Sequence, residues 1–274
     1  MKTNTAIKIL GYAILVLASA IILVPIVWTV ISSFKAYYED LVYSPVPILF
    51  FVPSLVNYVK LFTVPYLAQR NILNSLIISG FTTGIAVGLG TFSGYALSRL
   101  WRSKNLTFFI LSIRFLPPIS FVVPLYLLYT ASGLLDTYPG LILAYTAFNV
   151  PFALWLIRGF IEDVPTDLDD SMILDGYSRL QTIRKIILPL AAPGIAVTAL
   201  FTFIFVWNEF LIAFVLTRAS TSTLAVFIVG LNTNFGFEWE LLFATTVIQM
   251  VPMLLVVIFL QRYIARGLTF GAVK

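Results

Sequence analysis

Residues 9–32 read ILGYAILVLASAIILVPIVWTVIS, a stretch without a single Asp, Glu, Lys or Arg. An α-helix rises about 1.5 Å per residue, so about 20 apolar residues cross the roughly 30 Å hydrocarbon core of a bilayer. This stretch is long enough. Lys2 and Lys8 precede it, and Ala18-Ser19-Ala20 has the small residues of a signal-peptidase site, yet the apolar run continues to Ile31. It therefore reads as an uncleaved anchor. Working outward, five more windows share its character: Ile72 to Leu97, Leu106 to Thr130, Pro139 to Ile161, Leu190 to Leu216 and Leu241 to Gln261. The expectation is an all-α, polytopic membrane protein of six transmembrane helices, one domain over residues 1–274.

Composition agrees. Of 274 residues 60% are hydrophobic and 11% charged, against about 45–50% and about 25% in a soluble domain. The chain has no Cys and no His, which removes thiol nucleophiles, the commonest metal ligand and the side chain that titrates near neutrality. No metal site, catalytic residue or bound cofactor is expected. The net charge of +5 could suggest nucleic acid, but its distribution reports topology instead. With the N-terminus in the cytoplasm, Lys2, Lys8, Arg99, Arg102, Lys104, Arg158, Arg179, Arg184, Lys185, Arg262, Arg266 and Lys274 all fall inside, twelve of the 17 basic residues. Only Lys35, Lys60, Arg70 and Arg218 fall outside, and Arg114 lies within a span. The positive-inside rule selects this orientation, with both termini cytoplasmic.

Inside the spans, Gly80, Gly84, Gly88, Gly90 and Gly94 form a small-residue face suited to close helix packing. Pro117-Pro118 and Pro124 should kink or break the third span. Arg114, Asn149, Asn208 and Glu209 place polar groups in apolar segments, where they face a bundle interior, pair, or line a route. They are candidate pathway or gate residues, and an Arg114 to Glu209 pair is conceivable. Two long external segments, 33–71 and 217–240, could each meet a partner. The second carries Gly230, Asn232, Asn234 and Gly236.

The loop 162–189 differs from the rest. Glu162, Asp163, Asp167, Asp169, Asp170 and Asp175 are followed by Arg179, Arg184 and Lys185. A first helix is expected after Pro165 with Thr166 or Asp167 as N-cap, ending at Gly176 in the left-handed conformation. A second should open on the capping-box spacing Ser178-x-x-Gln181 and stop at Pro189. Leu168, Met172, Ile173, Leu180, Ile183, Ile186 and Ile187 form an apolar set to be covered either by the protein's own helix ends or by a groove on a cytoplasmic partner.

Asp170-Ser171-Met172-x-x-Asp175-Gly176, nine residues, then Ile186-x-Leu188-Pro189 resembles the EAA motif, usually Glu-Ala-Ala-x-x-x-Gly-x9-Ile-x-Leu-Pro, of permease subunits of ATP-binding-cassette importers. Gly176, Ile186, Leu188 and Pro189 keep the spacing, while Asp170, Ser171 and Met172 replace Glu, Ala and Ala. Asn74-Ser75-Leu76, Trp207-Asn208-Glu209-Phe210 and the ending Gln261 to Lys274 are similar to the smaller six-span permease of maltose-type carbohydrate importers. That resemblance implies a prokaryotic inner-membrane subunit that moves a sugar in a heterodimer with a second permease. It implies two cytoplasmic ATPases docked on the EAA loop and an external solute-binding protein, which the segment from Gly230 to Gly236 would touch. ATP would be used by a partner subunit, since this chain has no Gly-x-x-x-x-Gly-Lys-Ser/Thr loop. The competing readings are a permease for a non-sugar solute and, further off, a secondary transporter with Glu209 as its one coupling carboxylate.

Overall fold

In hydrocarbon a segment must satisfy its own backbone N–H and C=O groups, and for isolated apolar stretches the helix is the solution. The structure, a computed structural model, describes residues 5–36, 51–233 and 236–270. Its helices are α1 (Thr5–Ser33), α2 (Val56–Phe62), α3 (Gln69–Tyr95), α4 (Lys104–Ser112), α5 (Ile119–Ala131), α6 (Tyr138–Glu162), α7 (Thr166–Leu174), α8 (Arg179–Thr182), α9 (Leu188–Trp207), α10 (Leu211–Leu216), α11 (Leu224–Gly230) and α12 (Trp239–Phe270). A π-turn, Ala96–Leu100, extends α3, and a second, Ile183–Ile187, joins α8 to α9. Strands β1 (Asn232–Thr233) and β2 (Gly236–Phe237) pair antiparallel, Asn232 opposite Phe237 and Thr233 opposite Gly236.

Among the described residues five stretches are long and apolar enough to cross a membrane: Ile7–Ser33, Gln69–Leu100, Tyr138–Glu162, Arg179–Trp207 and Trp239–Gln261. The pair Lys104–Phe115 and Ile119–Ala131, bent by 85°, makes a sixth when counted as one broken span. The break falls where Pro117 and Pro118 remove two donors, and Leu116 is extended at ψ 130°, as the residue before a proline tends to be. Two boundaries differ from expectation. The fifth span ends at Trp207 and restarts after Phe210 as α10, rather than running through to Leu216. Pro189 does not stop the preceding helix. It sits in the first turn of α9, where a missing N–H costs little, and the wider π-turn before it makes room for the ring.

The chain divides into two compact units, residues 1–69 with 228–252 and residues 70–227 with 253–274. In the first, Asn57 donates to the carbonyls of Ser33 (3.0 Å) and Lys35 (2.7 Å), satisfying acceptors left over at the end of α1. In the second, α6 is the central post. Around one end pack Ile78, Tyr129, Leu141, Ala144, Tyr145, Val206, Ile212 and Ala213; around the other, Tyr95, Ile157, Ile161, Val164, Ile183, Ile187 and Ala191. Missing side chains permit this closeness. A Cβ on Gly90 would lie 2.8 Å from the Cβ of Ala153, and one on Gly194 would enter the Phe160 ring. Of the five glycines of the expected small-residue face two are used: Gly90 and Gly94 meet α6, while a Cβ on Gly80, Gly84 or Gly88 would meet nothing within 4 Å among the described residues.

Candidate functional site

The acidic loop forms a rigid elbow. α7 starts at Thr166 with Pro165 as N-cap and no side-chain cap, so neither Thr166 nor Asp167 caps it as expected. Both lie inside the first turn, where the carboxylates of Asp167 and Asp169 still favour the positive end of the helix dipole. The other end is as expected. Gly176 has φ +84°, its N–H donates to Ile173 O, and the N–H of Tyr177 donates to Met172 O, both at 3.0 Å. These are the two bonds of a Schellman cap. Ser178 and Gln181 then close the capping box, the Ser178 N–H donating to Gln181 Oε1 at 2.7 Å and the Gln181 N–H to Ser178 Oγ at 3.4 Å. Lys185 lies over the Tyr177 ring, 4.2 Å from its centroid.

Asp170, Ser171, Asp175 and Gly176 are exposed at the tip, and Met172 is half-buried. Ile186, Leu188 and Pro189 are not brought to that tip; they lie in the next helical stretch, with Leu188 packed on the apolar cluster. The apolar set divides the same way. Ile183 and Ile187 are buried by the protein's own helix ends, whereas Leu168, Ile173 and Leu180 are exposed. Leu174, not singled out in the sequence, is 87% exposed and the most prominent apolar side chain of the elbow.

Arg99 reads in the sequence only as one of the cytoplasmic cations, and the structure gives it a specific set of partners. Its Nε donates to Asp169 Oδ2 at 3.0 Å, and its Nη2 donates to the carbonyls of Ile161 (3.0 Å) and Val164 (2.6 Å). Sequence separates Arg99 from Asp169 by 70 positions, and nothing local marks Asp169 among the six acids of its loop. Arg158, buried, reaches Glu162 Oε1 at 2.9 Å, the Ser103 carbonyl at 2.8 Å and the Thr107 hydroxyl, fixing the start of α4.

The polar residues within the spans form a second constellation. The Arg114 guanidinium lies 4.8 Å from the centroid of Phe152 and 4.6 Å from that of Phe205, and its Nη1 donates to Asn149 Oδ1 at 3.4 Å. Stacking of this kind contributes about 0.5–1 kcal/mol when exposed and about 2 kcal/mol or more when desolvated. Asn149 donates to the Tyr145 carbonyl at 2.8 Å, and the Tyr145 hydroxyl donates to Glu209 Oε2 at 2.7 Å. Arg114 and Glu209 do not pair. Glu209 instead accepts from the N–H groups of Ile212 and Ala213 at 3.0–3.2 Å, closing the first turn of α10. Asn208 donates to the Ile204 carbonyl at 2.8 Å. Arg114, Asn149 and Glu209 are therefore linked through Tyr145, while Asn208 bonds separately.

Beyond the spans, Asp136 sits at φ +54°, a conformation Asp tolerates better than most residues. Its carboxylate accepts from the N–H groups of Arg218, Ser220 and Thr221 and from the Thr221 hydroxyl, at 2.8–3.0 Å. Partial burial alone would raise its pKa; the four donors outweigh that and hold it at about 2. Asn74 donates to the Ser222 carbonyl at 2.9 Å and accepts from the Tyr138 hydroxyl at 2.5 Å, and Ser75 accepts from the Leu224 N–H at 2.8 Å. In the other unit, Gly230 ends α11, and Asn232 and Gly236 lie on the paired strands β1 and β2; Asn234 lies outside the described residues. Lys2, Lys274 and the Gly-Ala-Val of 271–273 also lie outside them. The Tyr66 hydroxyl donates to Glu238 Oε2 at 2.6 Å beside the hairpin, and this bond, with partial burial and the carboxylate charge, pushes the Tyr66 pKa up to about 12.

The profile of one protein family, described as "Binding-protein-dependent transport system inner membrane component", matches residues 86–270, more than half of the chain. A probable ABC transporter permease protein of Sinorhizobium fredii is 36% identical over 92% of this chain and 90% of its own length. The trehalose/maltose transport system permease protein MalG of Thermococcus litoralis is 33% identical over 94% of each. Among solved structures, a chain of a bacterial ABC transporter involved in the import of the acidic polysaccharide alginate superposes with a TM-score of 0.76, covering 96% of this chain and 98% of that one. At 23% identity that likeness speaks to the fold.

Proposed function

The chain belongs to the family of inner-membrane components of binding-protein-dependent transport systems and is a permease subunit of an ABC importer, and on that premise we propose that it carries a sugar and is driven through the elbow at Thr166–Gly176. One observation carries the reading: a short acidic helix, locked at its end by a Schellman cap, presents Asp170, Leu174 and Asp175 exposed among the described residues. Such a knob suits a groove on a cytoplasmic ATPase. The partners are then a second permease in a heterodimer, two ATPases that consume the ATP, and an external solute-binding protein met by the hairpin at 232–237. Both termini face the cytoplasm, which puts the elbow on the side of the nucleotide.

Closure of the ATPase pair would move the elbow, and the continuous helical stretch Arg179–Trp207 would carry that movement to the turn at Asn208 and Glu209. Coupling of this kind needs a stiff element whose two positions differ in affinity for the nucleotide-bound motor. For the solute, the trehalose/maltose relative supports a saccharide. So does the set of rings around Arg114, where Phe152 and Phe205 meet edge to face at 5.3 Å and Phe201 stacks on Phe205 at 6.2 Å. Aromatic faces joined to a few polar groups are how pockets hold ligands with both apolar and hydroxylated surfaces.

The test is purification of the tagged chain from its native membrane, followed by an uptake assay in proteoliposomes with labelled saccharides and labelled amino acids. Co-purification of an ATPase and saccharide uptake that requires ATP are expected. Recovery without any ATPase would remove the assignment of the elbow, and uptake confined to amino acids would remove the sugar.

A further inference from the structure

The elbow is joined to its neighbours in sequence by Pro165 on one side and by Gly176 to Ser178 on the other, so backbone continuity alone would let it pivot. Arg99 bridges the first of these joints. One guanidinium bonds at once to α7, through Asp169, and to the end of α6, through the carbonyls of Ile161 and Val164. Those carbonyls belong to a helix end and the link beyond it, where acceptors lack helical partners and a cation complements the dipole. Arg99 itself comes from the π-turn Ala96–Leu100. The ion pair is enclosed, with both side chains 7% exposed, and beside it pack Tyr95 from α3, Ile157 and Ile161 from α6, Val164 from the link beyond α6, Ile183 and Ile187 from the second π-turn and Ala191 from α9.

We infer that Arg99 is a positioning residue for energy coupling, a clamp that makes the elbow and the adjoining ends of the second, fourth and fifth spans move as one body. This rests on the reading of the elbow as the ATPase-docking element. It adds a second route for force: movement of α7 reaches α3 and α6 directly through the guanidinium, as well as α9 through the chain. A planar fork with several fixed donors can hold three acceptors in one geometry, and removing one member of an enclosed pair leaves the other charge uncompensated.

The experiment uses the complete importer, in nanodiscs, with spin labels on cysteines introduced at Trp101 and Leu174. The chain has no native Cys to compete with them. In the Arg99 background the distance between labels should change by less than about 2 Å, the scale of a minor helix shift, between the nucleotide-free and vanadate-trapped states. In Arg99→Gln and Asp169→Asn the distribution should broaden, and ATP hydrolysis should lose about tenfold or more of its dependence on the binding protein. Arg99→Lys should recover part of that dependence. A contact that only stabilises the fold would lower the yield of assembled importer and leave the distances in the assembled fraction narrow, which overturns the clamp. A large distance change on trapping with Arg99 present overturns it too, and needs no variant to fold. If no ATPase assembles with the wild-type chain, the underlying reading of the elbow falls as well.

Discussion

At position 176 the backbone has φ +84° and a Cβ would meet nothing within 4 Å, so any penalty for a side chain there is conformational and not steric. Gly176→Val should cost about 1–2 kcal/mol and displace the elbow tip, seen as reduced ATPase co-purification at normal protein abundance. Gly176→Asn, which enters the left-handed region more readily, should keep most of the association. Equal behaviour of the two variants would count against the cap. Asp136 gives a pH-dependent counterpart. Its folded pKa of about 2 lies below the ordinary carboxylate value, so its bonds to residues 218–221 stabilise the protein above about pH 4 and are lost as pH falls toward 2. With solvent screening at this partly exposed site, that is on the order of 1 kcal/mol. Asp136→Asn should lower the melting temperature at pH 6 and make little difference near pH 2. The cap at Gly176 and the box at Ser178 and Gln181 were legible in the sequence because each is written within six residues. The roles of Arg99 and Asp136 were not, because their partners lie 70 and 82–85 positions away.

Among elements, apolar length fixed the spans and proline placement fixed the break in the third, since both effects act on the segment that carries them. Contacts between segments were harder to read. The glycines from 80 to 94 announced a packing face without saying which of them a neighbour would use. Gly90→Val should therefore force α3 from α6 and cost roughly 1–3 kcal/mol or more as overpacking, because the backbone of Ala153 and Leu154 lies 2.9 Å from the added carbon. Gly84→Val places its carbon where nothing lies within 4 Å among the described residues. Thermal stability of the purified chain should fall for the first and stay near wild type for the second; a comparable fall in both would mean that the α3–α6 approach is not what the glycines serve. Pro189 taught the opposite lesson. A proline that reads as a helix stop became a first-turn residue because a π-turn, which no residue pattern had signalled, precedes it.

For the molecule as a whole, the side of the membrane on which each end lies decides whether the mechanism can operate. Charge sets that side: twelve of 17 cations share one side when the N-terminus is cytoplasmic, and retention of Lys and Arg near span ends sets orientation during insertion. Under that arrangement Leu174, on the elbow, faces ATP, and Ser220, in the loop held by Asp136, faces the binding protein. Because no native thiol interferes, single cysteines at these two exposed positions report the sides directly. A membrane-impermeant maleimide added to intact spheroplasts should label Ser220→Cys at once and Leu174→Cys only after permeabilisation. The reverse pattern would place the acidic elbow where no nucleotide-driven motor can reach it. The family fold would survive that result, but force transmission through α7, Arg99 and the stretch Arg179–Trp207 would not.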